Sequence, residues 1–148
     1  MIRELLSYRL HEVANLLSRG AELRYRREFG VSLWEWRTIA LLGGATEPLS
    51  LNHLAHAAGI HKSQMSRVVA GLTERGLVLR AADEDDARGV RLTLSKAGRK
   101  LYVGLIEAAS QRDRAFRGCL TRDEKQAFEA ALAKLAGQAR AFIQQEKK

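Results

Sequence analysis

The sequence is poor in several residue types, and each shortage excludes something. Its 148 residues include one cysteine, Cys119, so an intrachain disulfide framework is impossible. That thiol economy fits a reducing compartment. A single proline, Pro48, leaves long helices free to run without interruption. Aromatic residues make up 6% of the chain, which argues against a β-sandwich and for aliphatic helix packing. No apolar run approaches the ~18 residues of a membrane span. The opening MIRELLSYRLHE lacks the apolar core of a signal peptide, so a cytoplasmic protein is expected. There are no internal repeats and no low-complexity linkers.

Enzymatic signatures are missing too. No Ser/His/Asp set sits at a strand–turn–helix, and there is neither an HExxH pair nor a glycine-rich phosphate loop. The expectation is a protein that is not an enzyme and carries no cofactor.

What the sequence has is apolar bulk and positive charge. Hydrophobic residues reach 46%, enough for a core, and the formal net charge is +8. Such a balance suits an anionic partner. Residues 92–118 carry six Lys/Arg against two acids, whereas residues 61–91 carry six against five. Charge alone therefore does not locate a binding helix.

Periodicity supplies the element order. Leu6, Leu10, Val13, Leu17 and Ala21 recur at helical spacing and predict a helix over residues 2–28. After Phe29-Gly30-Val31, Ser32 and Glu35 stand as a capping box for a second helix, with Trp36, Ile39, Ala40 and Gly43 on one face. Thr46-Glu47-Pro48 reads as loop. Ser50 is placed to cap a third helix bearing Leu51, Leu54, Ala55 and Ala58, and Gly59 to supply the turn after it. A fourth helix follows from about Lys62 to Arg75, with Met65, Val68, Val69 and Leu72 inward and Gly76 as its stop.

Leu77-Val78-Leu79 then reads as a short strand. Val90, Leu92 and Leu94 alternate with Arg91 and Thr93 in a return strand with one dry face. Ser95 opens a fifth helix with Leu101, Leu105 and Ala109 inward. Thr121 and Glu124 open a last one, whose stripe is Phe128, Leu132, Leu135, Ala139 and Phe142. Two short helices, a tight turn and a two-stranded hairpin make a winged helix-turn-helix. The fold class expected is mainly α with a small β wing: a winged helix-turn-helix lobe flanked by N- and C-terminal dimerisation helices. The whole of 1–148 forms one such domain, with the lobe at 31–98, the helix-turn-helix at about 51–74, and dimerisation helices at 1–30 and 99–148. The long first and last helices have apolar stripes that the lobe cannot bury, and a partner chain is their natural cover.

The polar face of the fourth helix carries Lys62, Ser63, Gln64, Ser66 and Arg67, residue types that read base edges or phosphates. Ser50 and His61, at the starts of the two helices, join them as expected DNA contacts. The hairpin Asp83-Glu84-Asp85-Asp86-Ala87-Arg88-Gly89-Val90 has four acids and one arginine. Its expected use is Arg88 entering the minor groove, braced by Asp86 through a charge-assisted pair. A divalent-metal site from those acids is less favoured than solvated turn carboxylates. His53 and His56 are three residues apart, with His61 nearby, but no cysteine or carboxylate set completes a tetrahedral site. No metal site is expected. Cys119 is expected as a small buried thiol.

These residues resemble the multiple-antibiotic-resistance regulator (MarR) family of bacterial transcription factors. The resemblance is carried by Leu54-Ala55 with Gly59, by Lys62-Ser63-Gln64-Met65-Ser66-Arg67-Val68-Val69, by Leu72-Thr73-Glu74-Arg75-Gly76-Leu77-Val78, and by Asp86-Ala87-Arg88-Gly89-Val90 continuing to Ser95-Lys96-Ala97-Gly98. Trp36-Arg37 fits as well, and the likeness covers nearly the whole chain. Two features depart from the family pattern: His61 stands where an acidic or polar residue is usual, and the wing is unusually acidic.

The resemblance implies a homodimer on a near-palindromic double-stranded operator, its reading helices about 34 Å apart. It implies a repressor released by a small aromatic or phenolic acid or its thioester, bound between the DNA-binding lobe and the dimer helices. Candidate pocket residues for an aromatic carboxylate are Tyr8, His11, Asn15 and Arg19 on the first helix, with Trp36 and Arg37 on the second. The competing reading is a non-specific architectural DNA-binding protein without an effector, which uniform Lys/Arg coverage would favour.

Overall fold

The structure is a computed structural model, and it describes residues 1–86 and 89–148. A 3₁₀ turn at Ile2–Glu4 precedes α1 (Leu6–Phe29). The expected single helix from residue 2 is interrupted at Leu5, whose ψ of 134° is extended. Then come α2 (Leu33–Gly44), β1 (Leu49–Ser50), α3 (Leu51–Ala58), α4 (Lys62–Glu74), β2 (Val78–Ala82), β3 (Val90–Leu94), α5 (Lys96–Gly118) and α6 (Arg122–Glu146). The helix content is high, and the strands form one small antiparallel sheet in the order β1-β3-β2.

The helix boundaries follow local chemistry. Ser32 and Glu35 form the reciprocal capping box of α2, Ser32 Oγ accepting from the Glu35 N–H and Glu35 from the Ser32 N–H. Ser50 accepts the His53 N–H at 3.1 Å to open α3. Thr121 accepts the Glu124 N–H at 3.2 Å to open α6. Ser95 accepts the Gly98 N–H at the start of α5 while its own hydroxyl donates to the Gly76 carbonyl at 2.6 Å.

Two compact units are present, Met1–Ala109 and Ser110–Lys148. The first has a core to which α1 to α5, β2 and β3 contribute: Tyr25, Val31, Ile39, Leu42, Leu54, Met65, Val69, Leu72, Val78, Leu92 and Leu105 are all nearly or fully removed from solvent. Tyr25 packs against Trp36, ring centroids 5.1 Å apart. Thr38 is completely buried beside Met65 of α4, its hydroxyl donating to the Trp34 carbonyl at 2.7 Å. The second unit holds the end of α5 and all of α6, and none of its residues is buried.

Three sequence expectations need correction. Thr46-Glu47-Pro48 is loop as expected, but the sequence predicts only the two hairpin strands, and Leu49 and Ser50 form a further one paired with Leu92 and Arg91, so the sheet has three strands. A two-residue strand beside a proline leaves no alternation to detect. Val90 was placed on the dry face with Leu92, yet it is 40% exposed. Its partner is the exposed Ala82, and the two form the last pair of the β2–β3 ladder, next to the wing turn. Cys119 is exposed rather than buried; its thiol folds back to the Phe116 carbonyl at 2.9 Å. It follows the end of α5, where the chain buries nothing. No helix is long and apolar enough to cross a membrane among the described residues.

Candidate nucleic-acid interface

The helix-turn-helix is assembled by its burial pattern. α3 turns Leu54 and Ala55 inward. Gly59, at φ +70°, makes the left-handed residue that ends it, and the following Ile60 N–H returns to the Ala55 carbonyl at 3.1 Å. α4 then turns Met65, Val69 and Leu72 into the same core. At 100° per residue those three fix which side of α4 faces away. His61, Lys62, Ser63, Ser66 and Arg67 are exposed, as is Ala70 further along. Gln64 is half-buried instead, and with Ala55, His56, Gly59, Ile60 and His61 it lines a shallow cavity of about 390 Å³. Ser50 has its Oγ engaged as the cap of α3. His61 stands at the head of α4, where its side chain makes no cap bond.

α4 is tied to α2 at its C-terminal end. At its C-terminus Arg75 Nη1 donates to Glu35 Oε2 at 2.7 Å. Glu35 already caps α2 with its other oxygen, so one carboxylate ties the start of α2 to the end of α4. Sequence reading gave Glu35 its capping role and missed Arg75, because the two are forty positions apart.

The wing has a brace of its own. Arg91 Nε donates to Asp83 Oδ2 at 2.9 Å, and the Asp83 side chain is only 12% exposed. The other Asp83 oxygen accepts the Asp85 N–H, and the Asp83 N–H donates to the Gly89 carbonyl. Arg91 also reaches the Pro48 carbonyl at 3.5 Å, linking the hairpin to the segment before β1. The described acid–arginine brace is thus Asp83–Arg91. The expected pair, Asp86 with Arg88, involves a residue outside the described ones; the Asp86 carbonyl accepts the Gly89 N–H at 2.9 Å. Asp83 was findable in part, since an aspartate opening a tight turn commonly accepts the N–H two residues on, as it does here from Asp85.

The candidate pocket residues fall into separate groups. His11 and Asn15 pair along α1, their side-chain nitrogens 3.0 Å apart. Tyr8 is half-buried and Arg19 exposed on the same helix. Trp36 and Arg37 line a cavity of about 320 Å³ with Ala40, Leu41, Ala57 and Ala58, residues of α2 and α3. Arg37 donates to Ser18 Oγ at 3.1 Å and lies 4.8 Å from the Trp34 ring centroid. Among the described residues, no three His, Cys, Asp or Glu side chains cluster as metal ligands.

Known proteins share this arrangement. A profile of the MarR family matches residues 29–89, the stretch from the end of α1 through the wing turn. The HTH-type transcriptional regulator FarR of Neisseria gonorrhoeae is 32% identical over 102 residues, 69% of each chain. The crystal structure of a MarR/EmrR family transcriptional regulator from Acinetobacter sp. ADP1 superposes with a TM-score of 0.84 at 24% identity, covering 95% of this chain and 99% of that one. The MepR–DNA complex of S. aureus gives a TM-score of 0.83 at 19% identity over 90% and 98% of the two chains. The structural likenesses establish the fold, and the sequence match carries the relationship further: this chain belongs to the MarR family of winged-helix transcription regulators.

Proposed function

We propose that the chain is a sequence-specific DNA-binding regulator, acting as a homodimer on a near-palindromic operator and repressing transcription until a small aromatic or phenolic acid binds. The observation that carries the reading is α4. Its inward side is sealed in the core, while its outward side offers Lys62, Ser63, Ser66 and Arg67 to solvent beside a braced hairpin. A structure of the same fold, MepR, is known bound to DNA. Base-reading types mixed with few cations favour specific recognition over the uniform basic coverage of an architectural protein.

The dimer is supported separately by each unit. Leu6, Val13, Leu16 and Leu23 of α1 are more than half exposed, and so are Phe142 and Ile143 of α6. α6 buries none of its residues, and a lone helix in water is marginal. A second copy of the chain would cover such stripes. The effector is supported by the Trp36–Arg37 cavity, which has apolar walls and one guanidinium with donors to spare.

Fluorescence anisotropy on the DNA upstream of the chain's own coding sequence, against scrambled DNA at two salt concentrations, tests the proposal. Tighter binding to the upstream fragment that persists at the higher salt is the expected result. Equal, steeply salt-dependent binding to both would favour the architectural reading.

A further inference from the structure

We infer that Ala70 is a specificity-determining residue, its methyl group meeting the C5-methyl of a thymine in the major groove. The inference rests on the DNA-binding reading of α4. With Met65, Val69 and Leu72 buried, the line directly opposite runs through Ser63, Arg67, Ala70 and Glu74, spaced i, i+4, i+7 and i+11. All four are exposed. Of the flanking polar residues, Gln64 is half-buried against α3, the Thr73 hydroxyl donates to the Val69 carbonyl at 2.7 Å, and Ser66 is exposed to one side of the line. The outermost line therefore presents a hydroxyl, a guanidinium, a methyl and a carboxylate in order.

Arg67 makes no ion pair among the described residues, which leaves its fork for a guanine or a phosphate. Ser63 and Ala70 are about 10 Å apart along the axis at 1.5 Å per residue, close to three base steps. The Glu74 carboxylate is repelled by phosphate, which favours a docking that keeps the C-terminal end of the line away from the strands. Ala70 is then the last position on it that can touch a base. Its methyl can neither donate nor accept a hydrogen bond, and it is exposed. The matching group on a base edge is the thymine methyl.

The experiment uses the full chain and a duplex it selects from a random pool. Each thymine in turn is replaced by deoxyuridine, which removes the methyl alone, and Kd is measured for the wild type, Ala70→Gly and Ala70→Ser. One thymine per half-site should weaken wild-type binding about fourfold on losing its methyl, the size of one buried methylene. Ala70→Gly should bind the thymine duplex more weakly and be indifferent to that replacement. Ala70→Ser, which keeps the helix better than glycine, should shift the preference at that base pair and no other. Binding that ignores every methyl, or loses the same factor in wild type and Ala70→Gly, overturns the inference and leaves the DNA-binding reading standing. A pool that yields no enriched duplex overturns both.

Discussion

Gly98→Ala should destabilise the protein, although the residue lies in the first turn of α5, where alanine is the better helix former by at most ~1 kcal/mol. Gly98 is buried, and α5 starts directly against the strand that leads into the wing. A β-carbon there would collide with the Leu77 carbonyl oxygen, stand 3.0 Å from the Leu77 carbonyl carbon and 3.3 Å from Leu94 Cδ2. Two of the three obstacles are backbone atoms and cannot rotate away. The same Leu77 oxygen accepts the Ser95 N–H at 3.0 Å, and Ser95 Oγ donates to the Gly76 carbonyl. Moving α5 outward to admit the methyl strains or breaks both bonds. Overpacking costs about 1–3 kcal/mol and the two bonds about 1 kcal/mol each, so after the helix gain the net loss is about 2–4 kcal/mol. For a chain of this size that lowers Tm by several degrees, at about 2–4 °C per kcal/mol. Gly71→Ala is the matched control. Gly71 also lies inside a helix, α4, but a β-carbon there meets nothing within 4 Å, so that variant should gain up to ~1 kcal/mol. Thermal melts of the two variants decide the matter: if Gly98→Ala melts at or above the wild type, the close approach of α5 to Leu77 is not what the glycine is for.

Other perturbations test other joints. Glu35→Ala removes half of a capping box and the Arg75 pair together, and should cost about 1–2 kcal/mol in urea unfolding, more than Arg75→Ala alone. In the wing, Asp83→Asn keeps a turn acceptor but loses the charge facing Arg91; a double-mutant cycle with Arg91→Ala should show coupling of about 0.5–1 kcal/mol, and additivity would dissolve the brace. Arg88→Ala is expected to weaken operator binding strongly with the oligomeric state unchanged by sedimentation, and unaltered affinity would remove it from the contact set. Glu28 is held below the usual carboxylate range by hydrogen bonds from Arg24 and then Arg27. Its folded value is depressed, so its contribution is present above the usual carboxylate pKa and fades as pH falls through the lowered value; Glu28→Gln should narrow the Tm gap between pH about 7 and about 3.

The parts of this fold that were legible in the sequence are those governed by short-range rules. Ser32 with Glu35, Ser50 before Leu51, and glycines 59 and 76 each act within a few residues, so their capping and turn roles could be read directly and the structure agrees. The inward line of α4 was likewise visible, because Met65, Val69 and Leu72 repeat at the helical period. What escaped is long-range. Glu35 meets Arg75 across forty residues, Arg99 donates to the Gly43 carbonyl across fifty-six, and no spacing rule announces either. The wing shows the same limit at closer range. Asp83, Asp85 and Asp86 are chemically alike, and only the register of β2 on β3, with Ala82 opposite Val90, decides that Asp83 faces Arg91. The outward stripe of α4 adds a subtler case. A run of polar letters from Lys62 to Arg67 invites the view that all of them read DNA, but helical rotation turns Gln64 toward α3 and brings Ala70 to the front. A polar side chain is thus neither necessary nor sufficient for a place on the outward face of α4. The angle it makes with the buried residues decides that, and the role inferred for Ala70 rests on that angle rather than on polarity.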